Sequence, residues 1–220
     1  MTPDAPAVPP PAMVPEVAAW RLFVTLGTTG AVAGLLIVAA WTLTQPTIQR
    51  NKAERLRLAV GQVLRAPARF DTLYVVDGAL VAERPAGRTA AEQVYIGYGA
   101  DGHVTGFAID AAEPGFADVV RLIFGYDATS HQVLGLAVLE SKETPGLGDK
   151  IERDTAFVGQ FAGAATPLRG VKPDRATGDA HEIDMITGAT ISSRAVIRIV
   201  NNSLARLEPA IAAYAAEAHR

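Results

Sequence analysis

The chain has 220 residues, 49% of them apolar, a formal net charge of -3 and no cysteine. This composition supports one globular domain with an additional segment and gives no electrostatic reason to expect nucleic acid. It excludes disulfides, thiolate metal sites and cysteine-ligated iron–sulfur clusters. The histidines, His103, His131, His181 and His219, are scattered without metal-ligand spacing, so no metal site is expected.

Residues 1–15 are rich in proline and alanine, and the N-terminal segment 1–21 is expected to be disordered. No residue from Leu22 to Gln45 is charged, and the run is long enough to cross a hydrocarbon core of about 30 Å. Trp20 and Trp41 stand near its ends, where an aromatic belt belongs. A secretory signal is shorter and is followed by a cleavage site, so a retained transmembrane helix is expected over 22–45. Gly30 and Gly34 form a small-xxx-small pair that lets membrane helices approach closely. The span holds no ionisable residue, and therefore no ion pathway of its own. Arg50, Lys52, Arg55 and Arg57 follow it and only Arg21 lies close before it, which points the following domain to the cytoplasm. That rule is weak for long translocated domains, so the residues alone leave orientation open.

Pro46 suits the first turn of a new helix. Leu56, Val60, Val63 and Leu64 recur at helical spacing, so a membrane-proximal helix is predicted over 46–67, ended by Ala66-Pro67. The domain 68–220 opens with strand-like runs. Leu73–Val76 and Ala79–Ala82 flank Asp77-Gly78, a hairpin dipeptide. Gln93–Gly99 and His103–Asp110 flank a second turn, and Val119–Tyr126 and Gln132–Leu139 a third. Asp149–Phe161 has helical spacing. Residues 166–180, rich in Gly, Pro and charge, read as loop with at most one short strand. A final helix is predicted from about Thr187, with Ile191, Ala195, Ile199 and Leu204 in one stripe. The fold class is α+β: a transmembrane helix, then an antiparallel sheet flanked by helices.

Asp184-Met185-Ile186-Thr187-Gly188-Ala189-Thr190 carries the chemistry. It sets a threonine hydroxyl behind a small Gly-Ala step at a helix start, where unpaired N–H groups and the helix dipole suit a phosphate. Thr187 is expected as the N-cap, and Arg194 lies one turn beyond Thr190 to balance charge. Taken alone, T-G-A-T reads as an ordinary helix cap, since capping threonines are abundant. Glu143-Thr144-Pro145-Gly146-Leu147-Gly148 joins a strand to a helix, and its backbone can lie against a flat ring. Taken alone, it reads as a plain strand–helix connection. No G-K-[S/T], G-x-G-x-x-G or G-x-S-x-G pattern occurs, so a Walker loop, a Rossmann unit and a hydrolase elbow are unsupported. Asp110, Glu113 and Asp118 read as solvated turn charges, and no catalytic residue is assigned.

A membrane anchor, then E-T-P-G-L-G at 143–148, then D-x-x-T-G-A-T at 184–190 resembles the FMN-binding G subunit of Rnf electron-transport complexes. The related family is the C subunit of the sodium-pumping NADH:quinone reductase. The resemblance implies FMN bound covalently through a phosphoester at Thr190, with Asp184, Thr187, Gly188 and Ala189 in the recognised motif. It implies that Glu143, Thr144, Gly146 and Leu147 line the flavin. It further implies a flavin transferase that uses FAD and magnesium, a bacterial inner-membrane location with the soluble domain periplasmic, and partner subunits of an ion-translocating complex. On orientation the family expectation is preferred to the charge count. The implied role is electron relay between ferredoxin and NAD within that complex, without independent turnover. The alternatives are the C subunit of the sodium pump, a membrane-anchored binding or assembly module, and a stand-alone enzyme, for which no acid, base or substrate pocket is legible.

Overall fold

The computed structural model describes residues 18–85, 87 and 92–218. The chain divides into two compact units, Met1–Asn51 and Lys52–Arg220. Helix α1 (Ala19–Val63) contributes residues to both.

In the first unit, α1 begins at Ala19, inside the segment expected to lack structure; residues 1–17 lie outside the described set. It is long and apolar enough to cross a membrane. Leu22, Phe23, Leu26, Leu35, Leu36 and Ile37 are all exposed along it, an arrangement costly in water and favourable in lipid. The hydroxyls of Thr25, Thr28, Thr29, Thr42 and Thr44 donate to carbonyls one turn back, so each is satisfied inside the helix. The separate helix expected from Pro46 does not form, because Pro46 lies inside α1. Its missing N–H forfeits one backbone bond, and the bonds of the neighbouring turns carry the helix through.

The second unit is built on six strands: β1 (Arg69–Val76), β2 (Ala79–Val81), β3 (Gln93–Tyr98), β4 (Val104–Pro114), β5 (Val119–Asp127) and β6 (Gln132–Glu140). They form one antiparallel sheet in the order β2-β1-β3-β4-β5-β6. The three predicted hairpins are present. Asp77 and Gly78 turn the first with φ of 50° and 83°, the pair of positive values that a two-residue hairpin loop requires.

Side chains alternate between the two faces, as the strand period dictates. Leu122, Phe124 and Tyr126 of β5 join Val94, Ile96, Phe107 and Ile109 in one core. Helix α4 (Thr190–Ala218) covers that core with Val196, Ile199, Val200, Leu204, Leu207 and Ile211. Tyr95, Ala108 and Ile123 face the other way, onto Ala59, Val60 and Val63 at the end of α1 and Leu64 just after it. The approach there is close. A Cβ on Gly125 would collide with the Val63 carbonyl, and one on Gly97 would lie 2.9 Å from Leu64 Cδ1.

Two local expectations change. The helix expected over Asp149–Phe161 is two short helices, α2 (Lys150–Arg153) and α3 (Thr155–Gly159). Asp154 breaks it, leaving helical geometry at ψ 99° and accepting hydrogen bonds from Ala156 and Phe157 N–H as an N-cap. The loop over 166–180 contains its one short strand, β7 (Arg169–Val171), as expected; what changes is its partner, since it pairs in parallel with β8 (Glu182–Asp184), which periodicity did not reveal.

Candidate functional site

Three segments meet at the start of α4: the Pro114–Asp118 turn between β4 and β5, the loop after β6, and the Ile186–Thr190 approach to the helix. They enclose a cavity of about 280 Å³ lined by Phe116, Thr144, Leu147, Gly148, Gly188, Ala189, Thr190, Ile191 and Ser192. Among the described residues of the second unit, the exposed large apolar side chains are Leu58, Phe116, Val119, Leu147 and Ile191, and three of these five line this one cavity. Exposed apolar surface gathered in one place marks a binding site more often than scattered exposure does. A second cavity, of about 390 Å³, is lined by His131, Thr166, Pro167, Asn201, Leu204, Ala205 and Glu208, and none of those large exposed side chains borders it.

The floor is a helix start. Ala189 N–H donates to the Ile186 carbonyl (3.0 Å), closing a turn whose third residue, Gly188, has φ 85°. That left-handed value favours glycine. Ser193 N–H then donates to the Ala189 carbonyl (2.9 Å), so Ala189 holds the capping position and Thr190 is the first helical residue. The expected Thr187 N-cap is thereby corrected, because the turn keeps Gly188 out of helical geometry and moves the cap two residues on, to Ala189. Ser193 compensates for the missing capping side chain. Its hydroxyl accepts from Ile186 N–H (3.1 Å) and donates to the Ala189 carbonyl (2.9 Å).

Thr190, Ile191 and Ser192 line the cavity and form the first turn of α4, so their N–H groups have no intrahelical acceptor. Among the described residues no hydrogen bond reaches Thr190 Oγ1, whereas the hydroxyls of Ser192 and Ser193 are engaged and buried. Arg194, one turn further on, is exposed and has no ion-pair partner among the described residues.

Of the residues expected from sequence, the structure brings Thr144, Leu147, Gly188, Ala189 and Thr190 together on the cavity wall. Thr187 is exposed beside it, and Gly146 (φ 77°) turns the loop without lining it. Asp184 ends β8, where its backbone exchanges hydrogen bonds with the Gln160 amide. Glu143 is corrected from a lining residue: it is 5% exposed and turned inward. Its Oε1 accepts from Phe116 and Ala117 N–H (2.9 and 3.0 Å), and its Oε2 accepts from the Ser192 hydroxyl (2.6 Å). Burial works to raise its carboxyl pKa, but the Ser192, Ala117 and Phe116 hydrogen bonds together outweigh burial and hold it below the ordinary value.

Phe116, Ile191 and Ser192 went unassigned in sequence. The available signal for Phe116 was a lone aromatic in a Pro-Gly-Phe-Ala-Asp turn. The turn itself is tied to α4, because Glu113 accepts from Arg198 Nε (2.7 Å) and Asn202 Nδ2 (2.8 Å) while Arg198 Nη2 donates to the Pro114 carbonyl (2.5 Å). Asp110 pairs with Arg121, and Asp118 with Lys142 and Val119 N–H, so the acidic cluster between β4 and β5 is consumed by structure.

The donor set fits a flavin mononucleotide. Phe116, Leu147 and Ile191 provide apolar surface for a flat ring, and the α4 start with Arg194 provides charge for a phosphate.

Residues 115–205 match the family model of the FMN-binding domain. The G subunit of the ion-translocating oxidoreductase complex of Vibrio vulnificus is 34% identical over 79% of this chain and 82% of that protein. The corresponding G subunit of Methanosarcina acetivorans is 28% identical over 84% of this chain and 92% of that one. Among solved structures, NqrC of Shewanella oneidensis superposes with a TM-score of 0.64 at 16% identity, covering 74% of this chain and 99% of its own. The C subunit of the Na(+)-translocating NADH-quinone reductase of Parabacteroides distasonis superposes with a TM-score of 0.51 at 23% identity, covering 61% and 73%.

Proposed function

Because this chain belongs to the family of G subunits of ion-translocating oxidoreductase complexes, we propose that it is the electron-relay subunit of such a complex, carrying FMN covalently on Thr190. The likeness to the two solved C subunits, at 16% and 23% identity, concerns the fold, whereas the relatives over most of the chain are G subunits. The other subunits of the complex are therefore its partners, and electrons pass between ferredoxin and NAD through it.

The observation that carries this reading is the convergence of a threonine hydroxyl without a hydrogen-bond partner among the described residues, an open helix start and an apolar wall on one cavity. Thr190 Oγ1 would form the ester: a flavin transferase moves FMN from FAD to that oxygen, AMP leaves, and the hydroxyl proton is released. Asp184, Thr187, Gly188 and Ala189 serve as the sequence that the transferase reads. Gly188 and Ala189 keep the approach to Thr190 open. The N–H groups of the first α4 turn and Arg194 stabilise the phosphodiester charge. Phe116, Leu147 and Ile191 orient the ring and keep water from one of its faces. When bound, FMN supplies a centre that accepts and releases electrons singly or in pairs.

A covalent tether retains the flavin without dependence on affinity. That suits a domain on the periplasmic side of the inner membrane, where free FMN is lost by dilution. The apolar helix Ala19–Val63 supports the anchor, and protease accessibility in spheroplasts tests the orientation: protection from outside would refute it.

The decisive experiment is the intact mass of the full chain co-expressed with a flavin transferase. One added FMN is expected in the wild type and in Thr187→Val, and none in Thr190→Val, which also loses in-gel flavin fluorescence after denaturation. Fluorescence retained in Thr190→Val refutes the attachment site. An unmodified wild type favours a binding or assembly module without covalent flavin.

A further inference from the structure

We propose that Glu143 is a positioning and charge-setting residue of this site, a fixed anion behind the cavity wall that lowers the reduction potential of the bound flavin. The proposal rests on reading the cavity as the FMN site.

The carboxylate is the node at which the three cavity walls are joined. Oε1 holds the Phe116 turn through two backbone N–H groups, Oε2 holds the first turn of α4 through Ser192, and Glu143 itself belongs to the loop that contributes Thr144 and Leu147. These partners are distant in sequence, 27 residues for Phe116 and 49 for Ser192. Space around the carboxylate is made by two glycines. A Cβ on Gly148 would lie 2.6 Å from Glu143 Oε2 and 2.9 Å from Ser192 Oγ, and one on Gly115 would collide with Oε1. The niche therefore admits the carboxylate and little else.

Among the described residues, the charge of this niche has no balancing ion. Glu143 is buried, and among the described residues no Lys, Arg or His pairs with it. Its stabilisation comes from neutral donors, which leaves a net negative charge inside the wall. Two of those donors, Phe116 and Ser192, are themselves lining residues. Each electron accepted by a flavin ring adds one negative charge unless a proton from solvent follows it. A fixed anion nearby, little screened by water, opposes that addition. A surface carboxylate would be screened and would have little such effect.

Two substitutions separate charge from geometry. In Glu143→Gln the amide oxygen still accepts from Phe116 and Ala117, and its NH₂ donates to Ser192 Oγ, so the wall stays while the charge goes. In Ser192→Ala one hydrogen bond goes while the charge stays. The full chain, loaded with FMN and held in detergent, is titrated spectroelectrochemically after its flavin content is measured by intact mass. A midpoint potential moved in the positive direction by Glu143→Gln, with little movement in Ser192→Ala, is the expected result. Full FMN loading of Glu143→Gln with an unchanged or more negative potential overturns the proposal, as does an equal shift in Ser192→Ala.

Should Glu143→Gln not fold, the wild type answers by reduced-minus-oxidised infrared difference spectroscopy with ¹³C-labelled glutamate. A perturbed glutamate carboxylate band is expected, and silence in that region overturns the proposal. A wild type that carries no FMN refutes the underlying reading of the cavity, an outcome distinct from all of these.

Discussion

Replacing Glu143 by alanine tests the architecture of the site without reference to flavin. The substitution strips the acceptor from Phe116 N–H, Ala117 N–H and the Ser192 hydroxyl. A donor left buried without an acceptor costs about 1–3 kcal/mol. Ser192 is 2% exposed and takes most of that cost. Phe116 and Ala117 belong to an exposed turn, so water replaces part of what their N–H groups lose. The sum is about 3 kcal/mol, which for a chain of this size lowers Tm by roughly 6–12 °C. Glutamine keeps three contacts and loses only the charge assistance, about 1 kcal/mol. The assay is thermal unfolding of the unloaded full chain in detergent, followed by near-ultraviolet circular dichroism. The reasoning fails if alanine leaves Tm within about 2 °C of wild type, or if glutamine and alanine are equally destabilising.

Further outcomes follow from the same geometry. The Glu143 carboxyl is held below its ordinary value in the fold, so its stabilisation is complete above the unfolded value of about 4.3 and is lost as pH falls through the lower folded value. Acid unfolding curves of wild type and Glu143→Gln should therefore converge below that window and diverge above it; parallel curves refute the assignment. Gly188→Ala places a Cβ at φ 85° with Leu147 Cδ2 no closer than 3.6 Å, so its cost is conformational, about 1–2 kcal/mol, read as a lowered Tm. Gly125→Ala drives a Cβ into the Val63 carbonyl and is expected to cost about 3 kcal/mol or more. Gly135→Ala, whose Cβ would sit 3.5 Å from Val63 Cα, should change stability by less than about 1 kcal/mol in the same denaturation assay.

The strands of the sheet were readable because each carries its own signal: alternating burial, and a turn dipeptide such as Asp77-Gly78 at the correct spacing. Helix α4 was readable for the same reason, through a stripe at 3.6-residue period. Its start was not. Thr187 looks like a cap in one dimension, and only the turn closed by Ile186 and Ala189, with Ser193 reaching back, moves the start to Thr190. The break at Asp154 follows the same logic, because an aspartate inside an apolar period became a cap when its carboxylate found Ala156 and Phe157. Strand β8 is three residues long and exists through its pairing with β7. No periodicity can announce so short an element.

The sequence by itself determined what is local and compositional. These features are an uncharged apolar span, the absence of thiol chemistry, the hairpins, and the paired segments at 143–148 and 184–190 that carry the resemblance. The tertiary structure alone decided which of those residues meet. It turned Glu143 away from the cavity and brought in Phe116 from a turn 27 residues earlier. It occupied Ser192 and Ser193 while leaving Thr190 Oγ1 without a hydrogen-bond partner among the described residues. The physical reason is that a pattern along the chain encodes which face a side chain takes, whereas a site depends on hydrogen bonds and close approaches between segments far apart in sequence.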